Sequence, residues 1–430
     1  MSVGVVTTLA LLVFAWAVLS GVLARRNVTG PLIFAVAGYL LSNPHWGPLP
    51  VDVEASSIHL IAEVTLALLL FGDAARVNVR DLRTDKALPV RLLGIGLPLS
   101  VAAGAVIAGP LLDVPWGIAL FLGASLAPTD AALSVQVIND ERIPMRLRRA
   151  LNVESGLNDG IVTPIVTLSL AVAASQLGHV SETVPYEMGS ALRELGVGAA
   201  VGALVGGVGA LVLNRASRHG WIASGGRRLA ALALAISALT LTLALDGNGF
   251  IAAFVAGAAF GALIDRHALD LERTNELPEL GGELLGLVVW FLFGATLLPI
   301  ALDHFTGPVV VYALVSLTIV RMVPVALAMS GAGLDRPTTA FLAWFGPRGL
   351  ASVVFALLAI EELGDTDDTT RLAVAAVALT VAASILLHGL TAGPGGRRYV
   401  QREHPDPTMG PRSRPVAMTQ QTTSTPTAAP

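Results

Sequence analysis

The stretch NVESGLNDGIVTPIVTLSLAVA, residues 152–173, joins polar residues directly to an apolar segment. The part after Gly160 has the composition of a membrane helix, whereas Glu154, Asn158 and Asp159 precede it without loop residues in between. A crossing of the hydrocarbon core takes about 20 helical residues, so one helix through this stretch carries these three side chains into the membrane. Ionisable groups at that depth face the protein interior or a water-filled cavity rather than lipid.

The composition of the whole chain supports a membrane location. Of its 430 residues, 54% are hydrophobic and only 13% are charged, and the mean hydropathy is +0.71. A soluble domain would have about 25% charged residues. The sequence therefore predicts an all-α polytopic membrane protein. It contains no cysteine and therefore no disulfide, its eight histidines lack metal-ligand spacing, and no basic run interleaved with aromatic residues indicates nucleic-acid binding.

Thirteen apolar segments are predicted to be transmembrane helices. They cover residues 5–24, 30–42, 57–73, 89–110, 114–138, 148–174, 193–214, 227–245, 247–264, 280–300, 307–330, 337–362 and 369–391. In the seventh segment Gly202 and Gly206 have small-xxx-small spacing, which predicts close helix packing. Residues 1–391 are thus the predicted transmembrane domain, and residues 392–430, rich in Pro, Thr, Ser and Gln, are predicted to be a disordered cytoplasmic tail.

The distribution of basic residues predicts the orientation of the chain. If the N-terminus lies outside, most of the 27 lysines and arginines fall in cytoplasmic segments, beginning with Arg25 and Arg26 after the first span. Arg193 and Arg371 are the two that fall on the outer side, each at the start of a span. This asymmetry follows the positive-inside rule. We therefore expect a multi-pass plasma-membrane protein with an outer N-terminus and a cytoplasmic C-terminus.

Six charged residues lie inside the predicted spans away from their ends, namely Glu63, Asp130, Glu154, Asp159, Arg321 and Arg348. On an insertion scale each would cost roughly 2.5 to 3.5 kcal/mol at the bilayer centre. At about 1.5 Å per helical residue, Asp130, Asp159, Arg321 and Arg348 lie at nearly one depth. The two acids repel each other there, which predicts an exchangeable cation or proton between them. For Arg348 an ion pair that only holds helices together is an equal alternative.

Helix geometry separates the polar residues of the sixth span. Ser155 and Asp159 are four residues apart and share a face, whereas Glu154 points away from Asp159 by about 140°. We therefore assign Ser155 and Asp159 to the ion and Glu154 to a basic partner such as Arg321. Asn158 shares the face of Glu154, and its side chain fits either a direct ion role or an interhelical hydrogen bond.

Two spans contain helix breakers. In the fifth span, ASLAPTDAALS (residues 124–134), Pro128 removes a backbone donor and predicts a break that frees carbonyls beside Thr129 and Asp130. Such irregular backbone survives in a membrane only where it is buried in protein or lines a cavity. The free carbonyls with these two side chains form a predicted oxygen-rich site for a monovalent cation. In the twelfth span, WFGPRGLAS (residues 344–352), Gly346 and Pro347 predict a second break.

The two broken spans are seven apart, and an odd offset relates them by inverted topology. We therefore expect inverted repeats at residues 5–174 and 227–391, joined by a linker helix at residues 193–214. Inverted repeats around a site at the membrane midplane are typical of transporters that work by alternating access.

Several motifs together resemble one known family. They are APTD (127–130), ESGLNDG (154–160), FGDAARVNVRDL (71–82), VVWFLFGATL (288–297), the arginine of the eleventh span, and WFGPRGLASVVFALL (344–358). Over residues 5–391 the chain resembles the NhaP-type monovalent cation:proton antiporters, relatives of the animal sodium/hydrogen exchangers. The resemblance implies a dimer in which each chain has a six-helix ion-translocation core and an interface domain.

The resemblance also implies roles for individual residues. Those matching Thr129, Asp130, Ser155 and Asp159 bind the ion in that family, and the match to Glu154 is held by an arginine like Arg321. The Asn-Asp pair matching Asn158 and Asp159 is typical of its electroneutral branch. The chain departs from the family pattern at Ala131, where proline is usual, and at Gly156, where leucine is usual. Gly156 is expected to loosen the sixth span.

The sequence thus predicts exchange of Na⁺ for H⁺ across the plasma membrane, without a cofactor and without enzymatic chemistry. A K⁺/H⁺ or Li⁺/H⁺ antiporter, or a cation sensor without transport, would carry the same residues. An anion transporter would place unpaired arginines at the broken helices, where acids outnumber them here. A channel would need a continuous pore built from several subunits, which a one-chain inverted repeat disfavours.

Overall fold

The structure is a computed structural model. It describes residues 3–403 apart from 26–27, 44–46, 50–54, 78–86, 131–132, 134, 139, 179–183, 267–268 and 365–366. Throughout these described residues, the regular elements are all helical, which confirms the predicted fold class. The first half comprises α1 (Val3–Arg25), α2 (Gly30–Ser42), α3 (Ala55–Arg76), α4 (Ala87–Leu112), α5 (Trp116–Ser125), α6 (Val135–Ile138) and α7 (Met145–Gln176).

The second half continues with α8 (Val184–Arg218), α9 (Ser224–Leu243), α10 (Gly249–Leu263), α11 (Leu271–Asp303), α12 (Gly307–Met329), α13 (Arg336–Trp344), α14 (Leu350–Leu363) and α15 (Asp368–Glu403). Eight of the described helices are long and apolar enough to cross a membrane, and three shorter apolar helices accompany them. The chain is therefore a multi-pass membrane protein, and the count of thirteen spans stays a prediction.

Several of the predicted boundaries differ from the structure, most of all at the starts of α8 and α11 and at the end of α15. Helix α8 begins at Val184, well before the predicted start of the seventh span. Helix α15 runs to Glu403, so the prediction that residues 392–430 form a disordered tail is wrong for their first part. The reason is packing, because Ala392 and Tyr399 are buried in a small cluster of side chains from α7, α12 and α13. Residues 404–430 lie outside the described residues.

Glycine contacts bring α8, α10 and α3 close together. A Cβ on Gly202 or Gly206 of α8 would collide with the backbone of Ala252 or Ala256 in α10, which confirms the close packing predicted from their spacing. On its other side α10 meets α3, where Gly257 touches the backbone of Phe71. The three helices form a tightly packed unit whose α3 and α10 face α7.

We expect Gly206→Ala to destabilise the protein by about 1–3 kcal/mol, the usual cost of overpacking a tight contact. The added methyl group would have to push α10 away from α8. Gly196→Ala is the matched control, because Gly196 is exposed on the same helix and a Cβ there meets nothing within 4 Å. The melting temperature in detergent measures the difference. Equal melting temperatures for both variants would contradict the proposed contact.

Candidate functional site

Two helix breaks cross each other inside the bundle. One lies between α5 and α6, after Ser125, and contains Pro128; the other lies between α13 and α14 and contains Gly346 and Pro347. The backbone N–H of Asp130 donates to the carbonyl of Pro347 at 2.8 Å. The two predicted breaks are therefore present, and they are hydrogen-bonded to each other.

Small residues permit this crossing. A Cβ on Gly349 would overlap the side chain of Asp130, and a Cβ on Gly346 would collide with the guanidinium group of Arg321. The prolines at 128 and 347 have no N–H group to donate, so each removes one helical hydrogen bond from its break. Glycine and proline thus act together: proline ends the regular helix, and glycine lets the other break approach.

Opposite charges compensate the interrupted helix ends. The N–H of Leu350, the first residue of α14, donates to Asp130 Oδ2 at 3.2 Å. Arg348 Nη1 donates to the carbonyls of Ala127 and Pro128 at 2.8 and 3.2 Å, just beyond the end of α5. A carboxylate at a helix N-terminus and a guanidinium at a C-terminus both stabilise the helix dipole. The guanidinium group of fully buried Arg348 donates to these backbone carbonyls, in contrast to the ion pair considered from the sequence.

Glu154 of α7 and Arg321 of α12 form a buried ion pair. Arg321 Nη1 donates to Glu154 Oε1 at 2.5 Å, and Nη2 donates to Oε2 at 2.9 Å. Both side chains are at most 2% exposed. The contact predicted from helix geometry is therefore present, with the two parallel hydrogen bonds that arginine makes to a carboxylate.

The remaining polar residues of α7 face the first break. Thr129 Oγ1 lies 3.1 Å from Ser155 Oγ, and Asn158 Nδ2 donates to Thr129 Oγ1 at 2.8 Å. Asn158 Oδ1 and Asp159 Oδ1 are both buried, and neither has a hydrogen-bond partner within the part of the chain that the structure describes. Buried oxygens are normally hydrogen-bonded, so these two need a further partner. Together with Asp130, the cluster offers hydroxyl, amide and carboxylate oxygens.

Asp73 of α3 completes this group of acids, and the sequence reasoning did not select it. A Cβ on Gly156 of α7 would lie 3.6 Å from Asp73 Cβ, and the carboxylate of Asp73 interacts electrostatically with Asp130 and Asp159. The predicted third span, residues 57–73, ends at Asp73. Its place directly after an apolar run, within the FGDAAR motif, was the available signal.

The structure also revises the expectation for Gly156. Helix α7 is continuous from Met145 to Gln176, so Gly156 does not interrupt it. The missing side chain instead leaves room for Asp73 to face α7. A leucine at this position would fill the space between the two helices.

Crossed and interrupted helices with carboxylates at the crossing are the architecture of secondary transporters. The chain belongs to the family described as sodium/hydrogen exchanger, transmembrane, whose profile matches residues 9–396. This match covers most of the chain and includes every residue of the crossing.

Individual relatives agree with this family. The chain is 30% identical to the Na(+)/H(+) antiporter NhaP of Pseudomonas aeruginosa over 352 residues, which cover 77% of this chain and 79% of that protein. It is 25% identical to the K(+)/H(+) antiporter NhaP of Alkalimonas amylolytica over 76% of this chain, and the match spans only 55% of that relative's length. The fold is similar to that of the sodium proton antiporter MjNhaP1 from Methanocaldococcus jannaschii, with a TM-score of 0.74, 18% identity, and coverage of 92% and 98% of the two chains.

Breaking the Glu154–Arg321 pair should destabilise the protein strongly. Arg321→Ala leaves a buried, unpaired carboxylate, which costs about 3–5 kcal/mol. Adding Glu154→Gln removes that charge and should partly restore the melting temperature in detergent.

The exposed pair Arg228–Glu276, with N and O atoms 3.0 Å apart, serves as the control. Arg228→Ala should cost no more than about 1 kcal/mol, because surface pairs are screened by water. Additive losses in the Glu154/Arg321 double-mutant cycle would show that the two side chains do not act as a pair.

Proposed function

We propose that the protein exchanges one monovalent cation, Na⁺ in the first place, for one proton across the plasma membrane by alternating access. The observation that supports this most directly is a pair of buried oxygens, on Asn158 and Asp159, that have no hydrogen-bond partner among the described residues and lie beside Thr129, Ser155 and Asp130. Oxygen ligands of this kind suit a hard cation. Antiport activity in the named relatives agrees with the proposal.

In this proposal Asp159 is the carrier group. A proton and a cation compete for it because a carboxylate oxygen that holds the one is not free to hold the other. Ser155, one helical turn away, and Thr129 contribute hydroxyl oxygens, and Asn158 holds the Thr129 hydroxyl in place through its amide. Asp130 contributes a carboxylate whose charge is balanced by the N-terminus of α14.

The remaining residues of the crossing hold the site together. The Glu154–Arg321 pair fixes α7 against α12, and Arg348 fixes the end of α5. We assign both a structural role in this proposal, with the breaks at Pro128 and at Gly346 and Pro347 as the irregular backbone around the ion.

The larger arrangement follows the same proposal. Residues 5–174 and 227–391 act as inverted repeats joined by α8, the N-terminus lies outside, and two copies of the chain form a homodimer in the lipid bilayer. The asymmetry of the basic residues supports this orientation. Alternation then exposes the crossing to one side of the membrane at a time.

Potassium is the second candidate cation. Relatives named for K⁺/H⁺ and for Na⁺/H⁺ antiport are both similar to this chain, and the chain spans 55–59% of the length of the K⁺/H⁺ antiporters that it matches. Dissipation of a preset proton gradient by Na⁺, Li⁺ or K⁺ in proteoliposomes distinguishes these ions. A cation sensor without transport would bind the ions and leave the gradient intact.

We expect Asp159→Asn to abolish exchange in proteoliposomes while the protein still folds, because the variant removes a buried charge without changing the volume. Asp113→Asn is the matched control. Asp113 is exposed in the turn after α4 and has a positive φ of 54°, which asparagine tolerates. The control should exchange at the normal rate. Normal cation-driven proton flux in Asp159→Asn would exclude Asp159 as the carrier.

Exchange should be electroneutral. With one carrier acid beside an uncharged Asn158, each cycle moves one cation against one proton and no net charge. The membrane potential, worth about 2.3 kcal/mol per charge per 100 mV, then has no effect on the equilibrium. We expect flux in proteoliposomes to stop when the cation and proton gradients are equal, at zero and at an imposed potential alike. A stopping point that shifts with voltage would mean a second proton, and Asp130, Glu154 and Asp73 would be tested as its carrier.

A further inference from the structure

A buried histidine of α15 lies directly beside the second helix break. His388 is 1% exposed, and its Nε2 atom lies 3.1 Å from the carbonyl oxygen of Trp344, the last residue of α13. Its ring also packs against the indole of Trp344, with centroids 5.0 Å apart and planes inclined by 30°. The site described above leaves this histidine unassigned.

Ser384, one turn earlier on α15, connects the histidine to the other side of the break. Its Oγ atom lies 3.1 Å from His388 Nδ1 and accepts a hydrogen bond from the backbone N–H of Arg348 at 2.7 Å. Ser384 and Arg348 are both fully buried. Two residues on one face of α15 thus hold the carbonyl before the break and an N–H inside it.

The two ends of this chain of hydrogen bonds determine the direction of the others. The N–H of Arg348 can only donate, and the carbonyl of Trp344 can only accept. Ser384 Oγ therefore accepts from Arg348, and His388 donates from Nε2 to Trp344. In a neutral imidazole, Nδ1 then accepts the hydroxyl proton of Ser384 and makes no hydrogen bond to the Ser384 carbonyl oxygen, which also lies 3.1 Å from it.

The second break, which His388 contacts, also binds Asp130 of the first break. The carbonyl of Pro347 accepts from the N–H of Asp130, and the N–H of Leu350 donates to its carboxylate. Pro347 is next to Arg348 in the chain, and Leu350 is two residues further on. Only a few backbone residues of the second break therefore separate the groups that contact His388 and Ser384 from those that bind Asp130.

We propose that His388, through its bond to the carbonyl of Trp344 and beside the bond that Ser384 makes to Arg348, is a positioning residue that fixes the second break and thereby the carboxylate of Asp130 for the cation. The effect on cation binding rests on the proposed function. The effect of His388 on the second break does not depend on that function. In this role His388 acts on the break and not on the ion, and its removal should weaken cation binding more than it impairs folding.

Three substitutions of His388 separate this role from simple core packing. In His388→Gln the amide nitrogen reaches the place of Nε2 and keeps the bond to Trp344. In His388→Asn the shorter amide reaches only the place of Nδ1, and His388→Leu keeps the volume without either bond. Thr380→Ala is the matched control, because Thr380 is fully buried on the same helix and its hydroxyl donates to the carbonyl of Ala376 within that helix.

The first measurement is hydrogen exchange of the backbone amides in a peptide that covers residues 344–352. His388→Leu and His388→Asn should raise exchange in this peptide, whereas His388→Gln and Thr380→Ala should leave it as in the unmodified protein. Unchanged protection in His388→Leu would overturn the inference, whatever the protein transports.

The second measurement is the apparent KM for Na⁺ in proteoliposomes. We expect His388→Leu and His388→Asn to raise KM about tenfold, the effect of losing roughly one hydrogen bond that orients a ligand. His388→Gln should keep a nearly normal KM. A loss of folded protein would lower the maximal rate and leave KM unchanged. Faster amide exchange with a normal KM would disprove the link to Asp130. If the unmodified protein exchanges no cation, the proposed function is overturned. The amide exchange result alone then decides whether His388 holds the second break.

Discussion

A backbone polar group that is unwound inside a membrane needs a partner from the protein, and here the two unwound segments supply partners to each other. Asp130 binds the second break through both its N–H group and its carboxylate, and Arg348 binds the carbonyls of the first. Neither break would be tolerated alone. Because each one satisfies the other, irregular backbone and charged side chains can stand at the centre of an otherwise apolar bundle.

The crossing also determines which polar side chains of α7 are already paired and which face the ion site. Glu154 is fully engaged by Arg321, so its charge is balanced within the bundle and its helix is held against α12. Ser155 and Asp159, on another face, are directed towards the first break and the acids around it. One helix thereby carries both the Glu154 ion pair and the Asp159 carboxylate, one oxygen of which has no hydrogen-bond partner within the described part of the chain.

The glycines set how closely the neighbouring helices approach this site. Gly349 admits Asp130 to the second break, and Gly156 leaves the space in which Asp73 faces α7. On the far side of α10, Gly202 and Gly206 bring α8 against its backbone. The acids therefore lie between the two crossed breaks and the unit formed by α3, α8 and α10. Hydrogen bonds fix the breaks, and close backbone contacts fix the helix unit, so neither tolerates much displacement.

The sequence by itself determined the membrane class, the two breaks, the Glu154–Arg321 contact and the common face of Ser155 and Asp159. These follow from composition, from the chemistry of proline and from the 3.6-residue period, all of which are local properties of the chain. The family relationship was also visible in the motifs around them.

Only the tertiary structure decided that Arg348 binds the carbonyls of Ala127 and Pro128, that Asp73 joins the acids, and that His388 holds the second break. Each of these contacts joins helices far apart in the chain, and their positions depend on how those helices pack. The extension of α15 to Glu403 was decided in the same way, because the polar composition of that segment favours disorder, whereas the burial of Tyr399 against α13 keeps it helical.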